Sequence, residues 1–142
     1  MSNETNKATV RREIEERWNK HRMDNVDEFF TKDIVGHLNS SDPASGQQKM
    51  NEGLAMFLNA FPDIRLTIED EFAEGDKVVV RFTMTGTHQG ELLGIPPTGK
   101  RVSSAGVSIY RLANAKIAEI WFLTDSLTVL QQMGVVPALE AA

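Results

Sequence analysis

Cysteine is missing from all 142 residues. That excludes a disulfide framework, thiolate nucleophiles and cysteine-ligated zinc. Histidine occurs only at positions 21, 37 and 88, too scattered along the chain to suggest a metal set. No apolar run approaches the roughly 20 residues of a membrane-spanning helix. The opening residues, MSNETNKATVRREIEERW, lack the apolar centre of a secretory leader. Basic residues are the minority, 15 Lys and Arg against 20 Asp and Glu, and the net charge of −5 comes with no basic patch. Nucleic acid and membrane are therefore not expected partners, and the expected compartment is the cytoplasm. There is no G-x-S-x-G nucleophile signature, and the glycines at 86, 90, 94 and 99 do not open a helix, so they form neither a phosphate loop nor a dinucleotide fingerprint.

What is present describes an ordinary folded chain. Apolar residues make up 41% and charged residues 25%, and the length suits one domain spanning 1–142. From Thr9 to Arg22 the residues Val10, Ile14, Trp18 and His21 fall at helical spacing. Val26, Phe29, Phe30 and Ile34 read as a shorter helix or helical turn, and Gly36–Gly46 as a loop rich in turn residues. Met50, Leu54, Phe57, Leu58 and Phe61 mark a third helix, stopped by Pro62. The period then changes to two. Ile64–Glu69, Val78–His88, Arg101–Arg111 and Ile117–Asp125 read as strands, with a glycine- and proline-rich loop after the second. A short closing helix ends at Gly134. Helices followed by four antiparallel strands is an α+β order, in which the helices cover one face of a curved sheet and leave a cone with an open mouth.

Three segments carry a family likeness: Phe61-Pro62-Asp63, the loop Gly86-Thr87-His88…Gly90…Gly94-Ile95-Pro96-Pro97-Thr98-Gly99, and Trp121-x-x-x-Asp125. With them the chain resembles, from about Val10 to Gly134, the SnoaL-like polyketide cyclases, or ester cyclases, of the nuclear transport factor 2-like superfamily. The turn before the last strand departs from the family's usual Asp-Gly and reads Ala113-Asn114-Ala115. The resemblance implies a nuclear transport factor 2-like, cystatin-like roll. It implies intramolecular aldol closure of a polyketide ester with no metal and no organic cofactor, and a cavity carboxylate on the last strand as general acid/base. By the Trp-x-x-x-Asp match that role falls to Asp125. It also implies a small hydrophobic or aromatic-like molecule as ligand. Pairing through the outer sheet face, where Val79, Val107, Ile109 and Ile120 are available, would make a homodimer.

Other residues have two readings. Asp125, on the same strand face as Glu119, Trp121 and Leu123, is either a desolvated acid/base group or the N-cap of the helix that follows it. His88 either shares a proton with Asp125 or fixes the glycine loop. Arg81 is either a cavity charge or a structural ion-pair partner. His37 points either into the cavity or to its edge, and Glu119 is a second cavity carboxylate or an exposed residue. Trp18, Phe57, Phe61 and Trp121 form either an aromatic wall for a planar substrate or plain core. A non-catalytic ligand-binding protein is the alternative to an enzyme. An epoxide hydrolase, whose relatives of this fold carry Arg-x-Asp, is disfavoured by Thr83 in Arg81-x-Thr83.

Overall fold

The computed structural model describes residues 2–137. Helix α1 (Asn3–Glu13) starts at Ser2, whose Oγ accepts the Thr5 N–H at 3.1 Å. It continues without a break as a π-helical turn, Ile14–Asn19. The Asn19 amide then docks on a strand edge: its side-chain oxygen accepts the Leu66 N–H at 2.8 Å and its nitrogen donates to the Leu66 carbonyl at 3.0 Å.

The next segment departs from the sequence reading. Helix α2 is a single turn, Val26–Phe29, and strand β1 (Phe30–Leu38) follows at once, so Ile34 lies on a strand and Gly36–Leu38 are strand residues. Ala44–Ser45 form a two-residue strand β2, where only loop was expected. β1 runs parallel to the last strand, and its register shifts between Phe30 and Val35. That irregularity breaks the two-residue period by which strands are recognised.

Helix α3 (Gln47–Ala60) ends before Pro62, as the proline requires. Strands β3 (Arg65–Glu74), β4 (Lys77–Thr87), β5 (Arg101–Ala113) and β6 (Lys116–Thr124) are the four expected antiparallel strands. With β1 and β2 they make one six-stranded sheet, ordered β2-β1-β6-β5-β4-β3. Helix α4 (Ser126–Gln132) closes the chain, and Gly134 takes the left-handed conformation just beyond it, at φ 82°.

Strand alternation sorts residues between two faces. Val78, Val80, Phe82 and Met84 of β4 and Val102, Tyr110 and Leu112 of β5 are buried on the inner face. α1 packs over β3 and β4, and α3 over β1 and β2. Each large apolar side chain withdrawn from water here contributes about 1.5–3 kcal/mol. On the outer face the register aligns Phe72, Val79, Ile109, Trp121 and His37 in one row across five strands. No helix among the described residues is long and apolar enough to cross a membrane.

The β5–β6 hairpin turns on Asn114 and Ala115, both at positive φ, 51° and 66°. A two-residue turn of this kind favours Asn-Gly, because a Cβ at the second position crowds the backbone. Ala115→Gly is therefore expected to stabilise the protein by about 0.5–1 kcal/mol, read as a melting temperature a few degrees higher. An unchanged or lower melting temperature would count against this reading of the turn.

Candidate functional site

Between the inner sheet face and the helices lies a cavity of about 430 Å³. Its walls are mainly aromatic and apolar. Trp18 stacks on Phe122 with ring centroids 5.2 Å apart and planes within 4°, and Phe57 meets Trp18 edge-on at 5.3 Å. Met50, Leu54 and Met56 of α3 complete the helix side, and Lys49, Glu52 and Asp42 also contribute to the lining. The expected aromatic wall exists, but Phe122 takes the place foreseen for Trp121. Adjacent residues of a strand face opposite ways, and Phe122 is the inward one. Phe61 is fully buried against His88 rather than in the wall.

The cavity's buried polar groups come from α1, its π turn and β5. Glu13 and Arg17 are each only 2% exposed, and both line the cavity with Tyr110. Arg17 Nε stands 3.6 Å from Glu13 Oε2, an ion pair too long to be a hydrogen bond. The guanidinium lies over the Phe30 ring, 5.0 Å from its centroid. Arg17 Nε and Nη1 are buried and have no hydrogen-bond partner among the described residues. Burial pushes the Glu13 carboxyl up to about 7, against the opposing pull of Arg17. Burial, then the nearby Glu13 charge, raises the Tyr110 hydroxyl well above its ordinary range. Arg17 is drawn down by the same burial, and it still keeps its proton.

Charges on a helix read as its solvated side, so polarity alone does not mark this group in the sequence. The signal was present: 10, 13, 14, 17 and 18 are the i, i+3, i+4, i+7, i+8 positions of one stripe, so Glu13 and Arg17 fall among Val10, Ile14 and Trp18.

Most of the residues singled out from the sequence lie elsewhere. Asp125 is the exposed N-cap of α4. Its Oδ1 accepts the Thr128 N–H at 3.1 Å and its Oδ2 the Thr128 hydroxyl at 2.6 Å. Those bonds hold its carboxyl below the usual range, opposite to the upward shift expected of a desolvated base. It is absent from the cavity wall, whose β6 positions are Ile120 and Phe122. Arg81 lies on the outer face and pairs with Asp70 at 2.6 Å, the structural alternative.

Trp121 is also on the outer face, stacked on His37 at 5.3 Å. His37 touches the cavity rim, but its Nε2 bonds Glu119 at 2.7 Å on the outer side. Glu119 also accepts from Arg111 at 3.2 Å; these partners, His37 first, hold its carboxyl below the usual range. Of the expected ligand-binding residues, Trp18 and Phe57 come together in the wall, and His37 reaches only the rim.

His88 is fully buried and serves the glycine loop. Its Nδ1 accepts the Thr98 N–H at 3.1 Å and also bonds the Thr98 hydroxyl at 2.9 Å, while its backbone N–H donates to Lys100. Thus the loop's two ends are tied to each other through one imidazole. Its first residues rest on the end of α3, where Gln89 and Gly90 donate backbone N–H groups to the Ala60 carbonyl at 3.0 and 3.1 Å. A helix end otherwise lacking partners is satisfied in this way. His88 and Asp125 are not brought together. Among the described residues no three His, Asp or Glu side chains gather as a metal centre would need.

This helix-covered sheet with its cavity can be set beside known proteins. The family model described as SnoaL-like polyketide cyclase matches residues 8–133. The chain belongs to the SnoaL-like polyketide cyclase family. Nogalonic acid methyl ester cyclase of Streptomyces nogalater is 29% identical over 125 residues, 82% of this chain and 89% of that one. A candidate SnoaL-like polyketide cyclase from Jannaschia sp. CCS1 superposes with a TM-score of 0.89 at 28% identity, covering 95% of each chain. AclR, a candidate hydroxylase of Streptomyces galilaeus, superposes with a TM-score of 0.85 at 31% identity, over 98% of this chain and 87% of that one. Among these similar structures one fold accompanies more than one named chemistry, and the cavity's own residues must argue the reaction.

Proposed function

We propose that the protein closes a ring in a polyketide-like ester by an aldol-type reaction within this cavity, with Glu13 moving the proton. One observation carries the reading: a buried carboxyl group, pushed up to about 7, lines an aromatic-walled cavity. A general base works best when its pKa lies near the working pH. As carboxylate, Glu13 takes a proton from the carbon between two carbonyls. The carbanion attacks a ketone of the same molecule, forming one carbon–carbon bond, and the resulting alkoxide recovers the proton from Glu13. Atoms and charge balance with this carboxyl alone, so the reaction as proposed is cofactor-free. The family's last-strand carboxylate, sought here in Asp125, has no counterpart on the inward positions of β6, and Glu13 approaches the same space from the helix side.

A second reading has its own support. The wall is largely apolar, which suits a protein that binds a small aromatic molecule without turnover. Incubation with β-keto esters bearing a distant ketone, followed by NMR for the new carbon–carbon bond, separates the two. Ring closure above the uncatalysed rate supports the cyclase. Tight binding without closure leaves the binding protein.

The proposal includes a homodimer formed through the outer sheet face. Phe72 and Leu123 are 64% and 49% exposed there, beside Val79, Val107 and Ile109. Sedimentation is expected to give the mass of two chains at micromolar concentration, and Leu123→Glu the mass of one. A wild-type mass of one chain would end this part of the proposal.

A further inference from the structure

Arg17 has hydrogen-bonding capacity that the described residues do not meet. Its guanidinium is buried, and two of its nitrogens have no hydrogen-bond partner among the described residues. An unmade hydrogen bond at a buried charged group costs more than the same loss at a neutral one. Such a group, left open on a cavity, is shaped for an acceptor that arrives with the ligand. The nearest carboxylate, Glu13, stands off at 3.6 Å and does not fill the role.

We infer that the cavity binds its ligand as a planar conjugated oxyanion, an enolate, with the negative oxygen received by Nε and Nη1 of Arg17 and the flat hydrocarbon part against Trp18 and Phe57. The inference rests on the cavity's being the substrate site, as proposed above, but not on turnover. Three further observations narrow the ligand. The cation already lies over Phe30, so an oxygen reaching it enters in the plane of the guanidinium, which favours a flat acceptor. The stacked and edge-on rings of Trp18, Phe57 and Phe122 continue that flat space toward α3. Lys49, on α3, is in an ion pair with Glu52 at 3.6 Å, and among the described lining residues Arg17 is the one guanidinium.

The ionisable groups facing Arg17 are few. Glu13 lies on its own helix, and Tyr110 stands on β5. Beyond Tyr110 is Glu71 of β3, which is bound to Arg11 at 3.0 Å. The first two carry no positive charge, and Arg11 is occupied by Glu71. Of the other basic side chains lining the cavity among the described residues, Lys49 is paired with Glu52 and His37 with Glu119, so stabilisation of an oxyanion here falls to Arg17.

The test uses benzoylacetone, a 1,3-diketone whose enolate absorbs differently from its neutral form, and 4-phenyl-2-butanone, which has similar shape but only one carbonyl. Bound to the wild-type protein, benzoylacetone is expected to ionise about 1–3 pH units lower than in water, the effect of a cation at contact distance. Arg17→Met should abolish that change while keeping affinity for 4-phenyl-2-butanone. If Arg17→Met does not fold, Glu13→Gln answers the same question. Removing the competing carboxylate should lower the ionisation pH of the bound probe further. Binding of benzoylacetone with no change in its ionisation, persistence of the change in Arg17→Met, or no effect of Glu13→Gln overturns the inference and leaves the cavity assignment standing. Failure of both probes to bind overturns the inference together with the cavity assignment.

Discussion

A Glu13→Gln protein is expected to close the ring about 10²–10⁴ times more slowly than wild type, the usual loss when a general acid/base is removed. Glutamine keeps the size of the side chain and its place beside Arg17, so the effect should appear in kcat rather than KM. Asp125→Asn is the paired control. It retains a capping oxygen, and both the rate and the stability should stay at the wild-type level. Asp125→Ala should lose about 1 kcal/mol of stability as the cap is removed, and no rate. The reverse pattern, with Asn at 125 slow and Gln at 13 fast, would return the chemistry to the last strand. Stability against pH gives an independent check. The folded chain holds the Glu13 proton to about pH 7, while the unfolded chain releases it near 4.5. Between these values the folded state binds more protons, so stability falls as the pH rises from 4.5 to 7. Glu13→Gln should remove that part of the slope, and an unaltered slope would show that Glu13 is not the group responsible.

Gly90→Ala is expected to be among the most damaging single-methyl additions to the fold. A Cβ at this position would stand 1.8 Å from the Asn59 carbonyl oxygen and 2.8 Å from its carbon. The obstacle is backbone at the end of α3, which cannot swing aside as a side chain can. The loop must lift, and the two hydrogen bonds from Gln89 and Gly90 to Ala60 are lost with it. The expected destabilisation is at least about 1–3 kcal/mol, the range for overpacking a tight site, measured by denaturant titration. Gly94→Ala provides the contrast: nothing lies within 4 Å of its Cβ, so its penalty comes only from the positive φ of 82°. Equal losses at the two positions would mean that close packing on α3 does not explain Gly90.

The strands after Pro62 were legible in the sequence because their burial alternates. Val78, Val80, Phe82 and Met84 sink while Val79, Arg81 and Thr83 face outward, and the register pairs them without a break against β5. β1 was not legible. Its buried residues, Phe30 and Ile34, are four apart, a helical interval, across a register shift. On β6 the trouble was different. Trp121 and Phe122 are neighbours and both large, so apolar character alone does not say which one faces the cavity, and the register shift between Arg111 and Leu112 removes the count that would decide it. The cap at Asp125 was written in the sequence as an acidic residue ahead of Ser-Leu-Thr. A family likeness drew that residue toward catalysis, where local chemistry alone points to the helix start. Glu13 and Arg17 were hidden for the opposite reason, since patterning rules treat charge as a sign of exposure.

The π turn at Ile14–Asn19 ties three different tasks to one short count of residues. Glu13 and Arg17 must face the cavity, Trp18 must lie on Phe122, and Asn19 must reach the Leu66 backbone. Regularising these same residues to α-helical pitch would swing everything after them by about 100° around the axis. Trp18 and Asn19 would leave their partners together. Substitutions in this stretch act one contact at a time, whereas a change of pitch at fixed length moves all of them at once. A relative that is α-helical through this stretch should therefore lack one residue here, the deletion that keeps the same facing beyond it.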